Sequence, residues 1–403
     1  AILHVPSQSD IRLALPRNYA AAPKNIGLLL CFIFLFGTGC TQDAQRYVNK
    51  GLEYYNAGNY TQAVYWFRKA AEQGDAQAQC SLGIFYDNGE GVTKDDEQAV
   101  YWYRKAAEQG YAPAQYNLGH CYYQGEGVTK DFAQAVYWYQ KAAKQGYAPA
   151  QCNLGVCYEK GQGVTKDITQ AVHWLRKAAE QEDAQAQCNL GTCYKKGEGV
   201  TQDDEQAVYW LRKAAEQGLA EAQFKLAVCF YSGEGVTKNF AQAVYWYRQA
   251  AEQGHAQAQF YLGIYYEKGQ GVPKDFAQAI YWYRKAAEQG LAEAQFNLGN
   301  CYYNGEGVTK DDAQAVYWYH KAAEQGLAEA RYNLGVCYAN GQGVTKDDAQ
   351  AAYWFRKAAE QGYADAQIKL GLCYYKGQGV TQDDEQALYW LRKAEEQKDA
   401  EAQ

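Results

Sequence analysis

The stretch "GEGVTKDDEQAVYWYRKAAEQG" (residues 89–110) returns at residues 305–326 as "GEGVTKDDAQAVYWYHKAAEQG", with two letters changed. The ten tryptophans show that this is a regular pattern, because each follows the previous one by 36 residues, from Trp66 to Trp390. A period of this length is typical of tandem structural repeats rather than of separate globular domains. Cutting after the glycine that closes "KAAEQG" gives nine complete repeats, residues 75–398. Positions are numbered 1–36 from that cut.

Each repeat contains two amphipathic segments, illustrated by residues 291–326. The apolar residues of each segment follow the spacing of one helix face: Ala294, Leu298, Cys301 and Tyr302 in the first, and Ala315, Trp318, Tyr319 and Ala322 in the second. Asp311 suits a helix N-cap, and Gly305 and Gly326 suit the left-handed residues that end helices. The predicted fold class is therefore all-α, a solenoid of tandem helix-turn-helix repeats.

Two residues of this repeat carry expectations about packing. Gly299 lies in the middle of a helix, where glycine is about 1 kcal/mol less favourable than alanine, so another group must approach closely there. We expect that group to be the ring of Trp318. Regularly spaced tryptophans on an apolar face indicate core residues rather than a platform for a ligand.

The repeat resembles the Sel-one-like repeat, a subclass of the tetratricopeptide superfamily. The shared pattern is A-x-A-Q-x-x-L-G-x-x-Y-x-x-G-x-G-V, followed by D-x-x-x-A-x-x-W-x-x-K-A-A-x-x-G. It covers residues 75–398, whereas residues 41–74 lack the loop insertion and resemble an ordinary tetratricopeptide repeat. Residues 399–403 are interpreted as a truncated tenth repeat. The resemblance implies an α/α right-handed superhelical solenoid that acts as a scaffold or adaptor in assembling protein complexes.

The residues that carry chemistry form no recognisable catalytic or metal site in the sequence. The four histidines of the repeats occupy four different positions, and no Cys/His spacing resembles a zinc site. No serine lies in G-x-S-x-G or S-x-x-K, which disfavours hydrolytic and β-lactam-binding functions. The net charge of −7 and the lack of a basic stripe disfavour nucleic acid. We therefore expect a non-enzymatic protein without cofactor or metal.

Cysteines other than Cys31 and Cys40 lie at positions 6 and 11 of the repeats. These positions are about 140° apart around one helix, so they face apart and cannot form a disulfide. Position 11 alternates with Phe85 and Tyr265, which marks it as a buried apolar position. A buried free cysteine behaves as a small hydrophobic residue, so we interpret these thiols as packing groups.

The segment "NIGLLLCFIFLFGTGC" (residues 25–40) has the order of an export signal. Lys24 precedes an apolar run, residues 26–36, that is too short to span a bilayer. The run ends in small residues and Cys40, which resembles a bacterial lipoprotein cleavage site where the cysteine is lipidated. We interpret residues 1–40 as a leader and expect the bacterial cell envelope, as a periplasmic protein or outer-membrane lipoprotein. The alternative is the cytoplasm.

The resemblance also implies a partner-binding groove. In tetratricopeptide repeats the concave groove is lined by first-helix positions that correspond here to 3, 6, 7, 10, 13 and 14. An asparagine amide donates and accepts hydrogen bonds, which suits the backbone of a bound segment. The predicted partner-binding residues are Tyr116, Asn117, Asn153, Asn189, Phe224, Phe260, Phe296, Asn297, Tyr332 and Asn333. The alternative is that position 6 packs between neighbouring repeats and position 7 is only solvated.

A surface that binds carbohydrate or peptidoglycan is the alternative function. Position 27 is tyrosine in eight repeats: Tyr101, Tyr137, Tyr209, Tyr245, Tyr281, Tyr317, Tyr353 and Tyr389. Such a ladder of rings can stack on sugars, or it can lie under Lys and Arg side chains of the neighbouring repeat.

Overall fold

The computed structural model describes residues 42–401, with side chains described to residue 397. The predicted leader, including Cys40, lies outside the described residues, as do Ala402 and Gln403. Residues 42–401 contain twenty helices and no strand, which confirms the all-α solenoid class.

The helices form two compact units, one ending at Gln217 and the other beginning at Gly218. The first contains α1 (Gln42–Asn56), α2 (Tyr60–Glu72), α3 (Ala76–Asn88), α4 (Asp96–Glu108), α5 (Ala112–Gln124), α6 (Phe132–Lys144), α7 (Ala148–Lys160), α8 (Ile168–Glu180), α9 (Ala184–Lys196) and α10 (Asp204–Glu216). The second contains α11 (Ala220–Ser232), α12 (Phe240–Glu252), α13 (Ala256–Lys268), α14 (Phe276–Glu288), α15 (Ala292–Asn304), α16 (Asp312–Glu324), α17 (Ala328–Asn340), α18 (Asp348–Ala359), α19 (Ala364–Lys376) and α20 (Asp384–Glu401). Within each unit, an odd-numbered helix packs against the next helix as a hairpin, and successive hairpins stack.

The helix ends follow the local sequence as expected. The side chain of Asp311 accepts a hydrogen bond from the backbone N–H of Gln314 at 3.0 Å and so caps α16. Gly305 ends α15 in the left-handed region with φ 73°, and Gly326 follows α16 with φ 101°. These glycines adopt backbone angles that other residues reach only with strain, which confirms their predicted role.

The close approach at Gly299 is real, but the group that makes it is Tyr319. A Cβ atom placed on Gly299 would lie 2.7 Å from Cδ1 of Tyr319, which leaves no room for a side chain. The expectation that Trp318 fills this place is therefore wrong. The tryptophan of the next repeat, Trp354, is part of the buried apolar cluster that contains Val316 and Tyr319 of this repeat, so it contributes to packing between repeats.

Two repeats end without the closing glycine, and they behave differently. Glu182 adopts the left-handed conformation of that glycine, with φ 67°, and it is the one non-glycine with positive φ among residues 42–401. Helix α20 instead continues through Lys398 to Glu401, so the boundary predicted after residue 398 falls within a helix.

Candidate partner-binding face

The candidate site lies on the first helices of four successive repeats in the second unit, α11, α13, α15 and α17. We call it the groove face and define it by its position 6 and position 7 side chains: Phe224, Phe260, Tyr261, Phe296, Asn297, Tyr332 and Asn333. Because the repeats have one length and one helix pattern, these side chains recur at equivalent places on successive helices.

The four position 6 rings are half-buried rather than fully exposed. Each packs on the position 29 ring of its own repeat, with centroid separations of 5.8 Å for Phe224–Tyr247, and 5.9 Å for Phe260–Tyr283, Phe296–Tyr319 and Tyr332–Phe355. Aromatic pairs at this separation are mutually stabilising. The rings are therefore held in place by the second helix while part of their surface stays accessible.

The predicted residues of the first unit are placed differently. Tyr116 is buried between Tyr139 and Tyr147, at centroid distances of 5.9 and 5.5 Å. Asn153 and Asn189 are also buried. Their burial contradicts the expectation of an open surface at these three positions. Asn117 is half-buried, and its amide approaches the Cys80 sulfur at 3.8 Å.

The buried asparagine amides are used within the protein. Asn153 Nδ2 donates to the hydroxyl of Tyr139 in the preceding repeat at 3.5 Å, and Asn189 Oδ1 accepts from Gln185 at 3.2 Å. A buried amide is stable only when it is hydrogen-bonded, which these contacts provide. Position 7 of these repeats therefore holds neighbouring side chains together.

Asn297 and Asn333 combine a structural contact with an accessible location. Asn297 is hydrogen-bonded to the Tyr283 hydroxyl, and Asn333 Nδ2 donates to Asn300 Oδ1 at 3.4 Å. Burial raises the pKa of the Tyr283 hydroxyl well above its usual range, so this hydroxyl stays protonated and donates to Glu267. Asn333 is also hydrogen-bonded to the Tyr319 hydroxyl. Because a primary amide has two N–H groups and a carbonyl, hydrogen-bonding capacity is left on each half-buried asparagine, and more of it on Asn297.

Tyr261 belongs to the groove face although the sequence did not single it out. Its ring stacks on Tyr247 at 5.5 Å with an interplanar angle of 17°, and lies 6.0 Å from Phe224 and 5.5 Å from Phe260. It is 39% exposed, the most exposed ring of this cluster. The sequence signal that could have identified it is that position 7 is tyrosine in this repeat, whereas it is asparagine in five others.

A polar clamp borders these rings. The imidazole of His255 stacks on Phe224 at 4.7 Å, and its Nε2 lies 3.1 Å from Oε2 of Glu221. His255 Nδ1 accepts from the backbone N–H of Ala258 at 3.2 Å, so the ring proton lies on Nε2 and is directed at the carboxylate. The hydrogen bond from His255, together with the charge of Lys225, lowers the pKa of Glu221 to about 2.

The position 27 tyrosines form a separate exposed surface on the second helices. Tyr245 is 52% exposed, and Lys321 Nζ lies 5.0 Å from the ring centroid of Tyr317. At seven of the eight position 27 tyrosines the lysine four residues later on the same helix lies over the ring, so the expectation of a covering side chain from the neighbouring repeat is wrong. This geometry is the usual i, i+4 neighbourhood on a helix. At Tyr245 the residue four positions later is Gln249.

The cysteines of the repeats are free, and all are buried except the half-buried Cys373. Burial raises the pKa of Cys80 and of Cys301 to about 12, so both remain neutral thiols. Their placement supports the interpretation as packing groups. Among residues 42–401, no group of three or more His, Cys, Asp or Glu side chains is arranged to hold a metal. None of the helices described there is long and apolar enough to cross a bilayer.

The stacked helical hairpins define a solenoid of the tetratricopeptide type, and the comparisons specify the family. The Sel1 repeat model matches residues 28–57, 51–75, 76–111, 112–147, 148–183, 184–219, 220–255, 256–291, 292–327, 328–363 and 364–399. The chain belongs to the Sel1 repeat family. Proteins of this family are generally non-enzymatic scaffolds for protein interactions.

Two solved bacterial structures are similar over most of the chain. A protective antigen present in uropathogenic Escherichia coli strains, which displays an SLR fold, is 41% identical with a TM-score of 0.73. That match covers 89% of this chain and 79% of the antigen. A Sel1 repeat protein from Oxalobacter formigenes is 36% identical with a TM-score of 0.57, covering 76% of this chain and 88% of that protein. No curated protein matches the chain.

Proposed function

We propose that the protein is a scaffold that holds a segment of a partner protein along the groove face. The observation that carries this proposal is the row of four half-buried rings, Phe224, Phe260, Phe296 and Tyr332, each supported by a second-helix ring at nearly the same distance. Partly exposed aromatic side chains held rigidly by their surroundings are typical energetic centres of protein interfaces.

The strongest contact is expected where Tyr261 joins Phe224 and Phe260. There the accessible aromatic surface is largest, because Tyr261 is stacked on Tyr247 without being covered. Asn297 and Asn333 lie farther along the same face. Their remaining amide groups are suited to hydrogen-bond the backbone of an extended or helical segment.

Site-specific photocrosslinking tests this proposal. The full chain carries p-benzoylphenylalanine at Phe296 or, as the control, at Tyr317 on the exposed position 27 surface of the same repeat. We expect a discrete crosslinked protein from Phe296 in the native host, and its loss when Phe260→Ala and Tyr261→Ala are added. Helical circular dichroism should stay unchanged. Crosslinking from Tyr317 alone, or crosslinking that survives the double substitution, would place the partner elsewhere.

We also propose that the protein works at the bacterial cell envelope, anchored through a lipidated Cys40. The support is the order of Lys24, the apolar run and Cys40 in the sequence. Bacterial expression should give a membrane-fractionating product that begins at Cys40 and carries an acyl mass. Cys40→Ala should abolish the acylation. A wild-type product that keeps residues 1–39 and stays out of the membrane fraction would rule out the anchor.

Glycan binding is the second candidate function, and the exposure of the position 27 tyrosines favours it. Tyr245 and Tyr281 are 52% and 49% exposed, and each stands edge-on to the adjacent tryptophan. If this surface binds sugars, binding on a glycan array should disappear with Tyr245→Ala and Tyr281→Ala. Retention of glycan binding in that variant would exclude this surface.

A further inference from the structure

A cleft of about 480 Å³ opens at the junction of repeats 111–146 and 147–182 in the first unit. The first of these repeats contributes Lys144 and Gly146 to its lining, and the second contributes Gln151, Trp174, Lys177 and Glu180. A concave, partly apolar site with a few polar groups has the general form of a small-ligand site.

The floor of the cleft is fixed by hydrogen bonds. Gln181 Nε2 donates to Gln151 Oε1 at 2.7 Å, and Gln151 Nε2 donates to the carbonyl of Ala143 at 3.0 Å. Because these groups bond to each other, the floor keeps its shape without a ligand. Specificity must therefore come mainly from the walls, which are the indole of Trp174 and the charged side chains around it.

The charge of this cleft is opposite to that of most equivalent junctions. Position 34 is glutamate in most repeats, as in Glu252 and Glu288, so a typical junction places one lysine between two glutamates. Lys144 occupies position 34 of repeat 111–146, and the cleft thus combines Lys144 and Lys177 with Glu180. The local balance changes from net negative to net positive, which favours an anionic group.

By its place in the sequence, Lys144 also belongs to the junction between repeats 75–110 and 111–146. The tryptophan of that junction is in a different environment. Trp138 is buried, and Lys141 Nζ lies within 5 Å of both Trp138 and Tyr137. Trp174 is half-buried, and its neighbour at position 27 is the smaller His173. Lys177 Nζ lies 5.0 Å from the Trp174 ring centroid, much as Lys141 lies over Trp138, so the two walls differ in the partial exposure of Trp174 and in the smaller side chain beside it.

We propose that this cleft binds a carboxylate attached to a flat apolar group, with the carboxylate at Lys144 and Lys177 and the apolar group against Trp174. The ammonium groups supply charge-assisted hydrogen bonds to the carboxylate. The indole supplies stacking area. A free aromatic acid and the C-terminal aromatic residue of a peptide present the same chemistry to this cleft.

Isothermal titration calorimetry of the full chain tests the cleft with defined probes. The probes are 3-phenylpropionate, N-acetyl-phenylalanine and its uncharged amide, and the peptide Gly-Gly-Ala-Ala-Phe with a free C-terminus. We expect binding of the carboxylates and at least tenfold weaker binding of the amide. Binding of 3-phenylpropionate with tenfold or greater preference for the peptide would identify a chain end as the natural source. Comparable affinity for both would identify a free acid.

The two variants of the cleft introduce residues that other repeats carry at the same positions, so they should fold. Lys144→Glu should weaken carboxylate binding at least tenfold, and His173→Tyr should weaken it by narrowing access to Trp174. Lys321→Glu, at a junction of the second unit, is the control and should bind normally. The proposal fails if no carboxylate binds at millimolar concentration, if the amide binds equally well, or if Lys144→Glu has no effect.

Discussion

Gln145 donates from Nε2 to Oε1 of Gln115 at 2.8 Å, and Gln115 Nε2 donates to the carbonyl of Ala107 in the preceding repeat at 3.0 Å. The first bond joins the two helices of one repeat, and the second joins that repeat to its neighbour. The same glutamine pair recurs as Gln79–Gln109, Gln151–Gln181, Gln187–Gln217, Gln223–Gln253, Gln259–Gln289 and Gln295–Gln325. A partly buried row of glutamine pairs therefore accompanies the apolar core within each unit.

Breaking one pair should destabilise the protein measurably. Gln259→Leu keeps the side-chain size but removes one hydrogen bond from the Ala251 carbonyl and one from the Gln289 amide. Each of these groups keeps a hydrogen bond to the backbone of Gly254. A lost intramolecular hydrogen bond typically costs about 0.5–1.5 kcal/mol. Urea unfolding followed by circular dichroism should show a lower midpoint for Gln259→Leu than for Gln257→Leu, an exposed change on the same helix. Equal midpoints would show that the glutamine pair does not contribute.

The left-handed conformation of Glu182 predicts a stabilising substitution. A non-glycine residue at φ 67° is strained by about 1–2 kcal/mol, and glycine removes this strain while adding up to about 1 kcal/mol of unfolded-state entropy. Glu182→Gly should therefore raise the unfolding free energy by about 0.5–1 kcal/mol.

The reciprocal change is a matched control for Glu182. Gly110 has φ 90°, and a Cβ atom there would meet nothing within 4 Å, so only the backbone conformation opposes a side chain. Gly110→Glu should lower the thermal midpoint while Glu182→Gly raises it. A lower midpoint for Glu182→Gly would mean that the carboxylate makes a compensating contact.

The features predicted from the sequence were those fixed within one helix or one turn. The apolar spacing around Leu298 and the cap at Asp311 depend on residues a few positions apart, so both were predictable. Trp318 and Tyr319 are adjacent on the same apolar stripe, and only the packing of the helices decides which ring meets Gly299.

The candidate site was predictable only in part, for the same reason. The sequence located the rings at position 6, but their support by position 29 and the burial of Tyr116 depend on contacts between helices. The glutamine pairs join residues 30 positions apart, so the sequence shows only that glutamine recurs at positions 5 and 35 of the repeat and not that the two side chains meet. At Arg331 the pair is replaced: Arg331 Nε donates to the Ala323 carbonyl at 3.0 Å, while Gln361 donates to the Gly326 carbonyl at 2.9 Å.

A larger side chain at Gly299 should be poorly tolerated. Its Cβ would meet the ring of Tyr319 at 2.7 Å, and the ring cannot retreat because it is fully buried. Overpacking of this kind costs about 1–3 kcal/mol. Gly299→Val should lower the urea midpoint, whereas Asn304→Val, at the exposed end of the same helix, should change it little. Similar midpoints for the two variants would show that the helices can separate freely.

The clamp between Glu221 and His255 predicts a dependence of stability on acid pH. The pKa of Glu221 falls from an ordinary 4.5 to about 2 in the folded protein, chiefly through the hydrogen bond from His255. Because the folded value is depressed, the ionised carboxylate contributes stability that is fully present above about pH 4.5 and lost as the pH falls towards 2. The side chain is partly exposed, so solvent screening limits the contribution to about 1 kcal/mol.

The measurement is the difference in unfolding free energy between the wild type and Glu221→Gln, taken from urea melts between pH 7 and pH 2.5. At about pH 5 the wild type should be more stable than Glu221→Gln, since Glu221 is ionised in both the folded and the unfolded chain there. Below that pH the unfolded chain takes up the proton first, and the difference should shrink. Glu252→Gln, an exposed change on α12, should leave the wild-type profile unchanged. If the difference for Glu221→Gln stays constant down to pH 2.5, the carboxylate is not held by His255 in solution. The imidazole that stacks on Phe224 is then not fixed by Glu221.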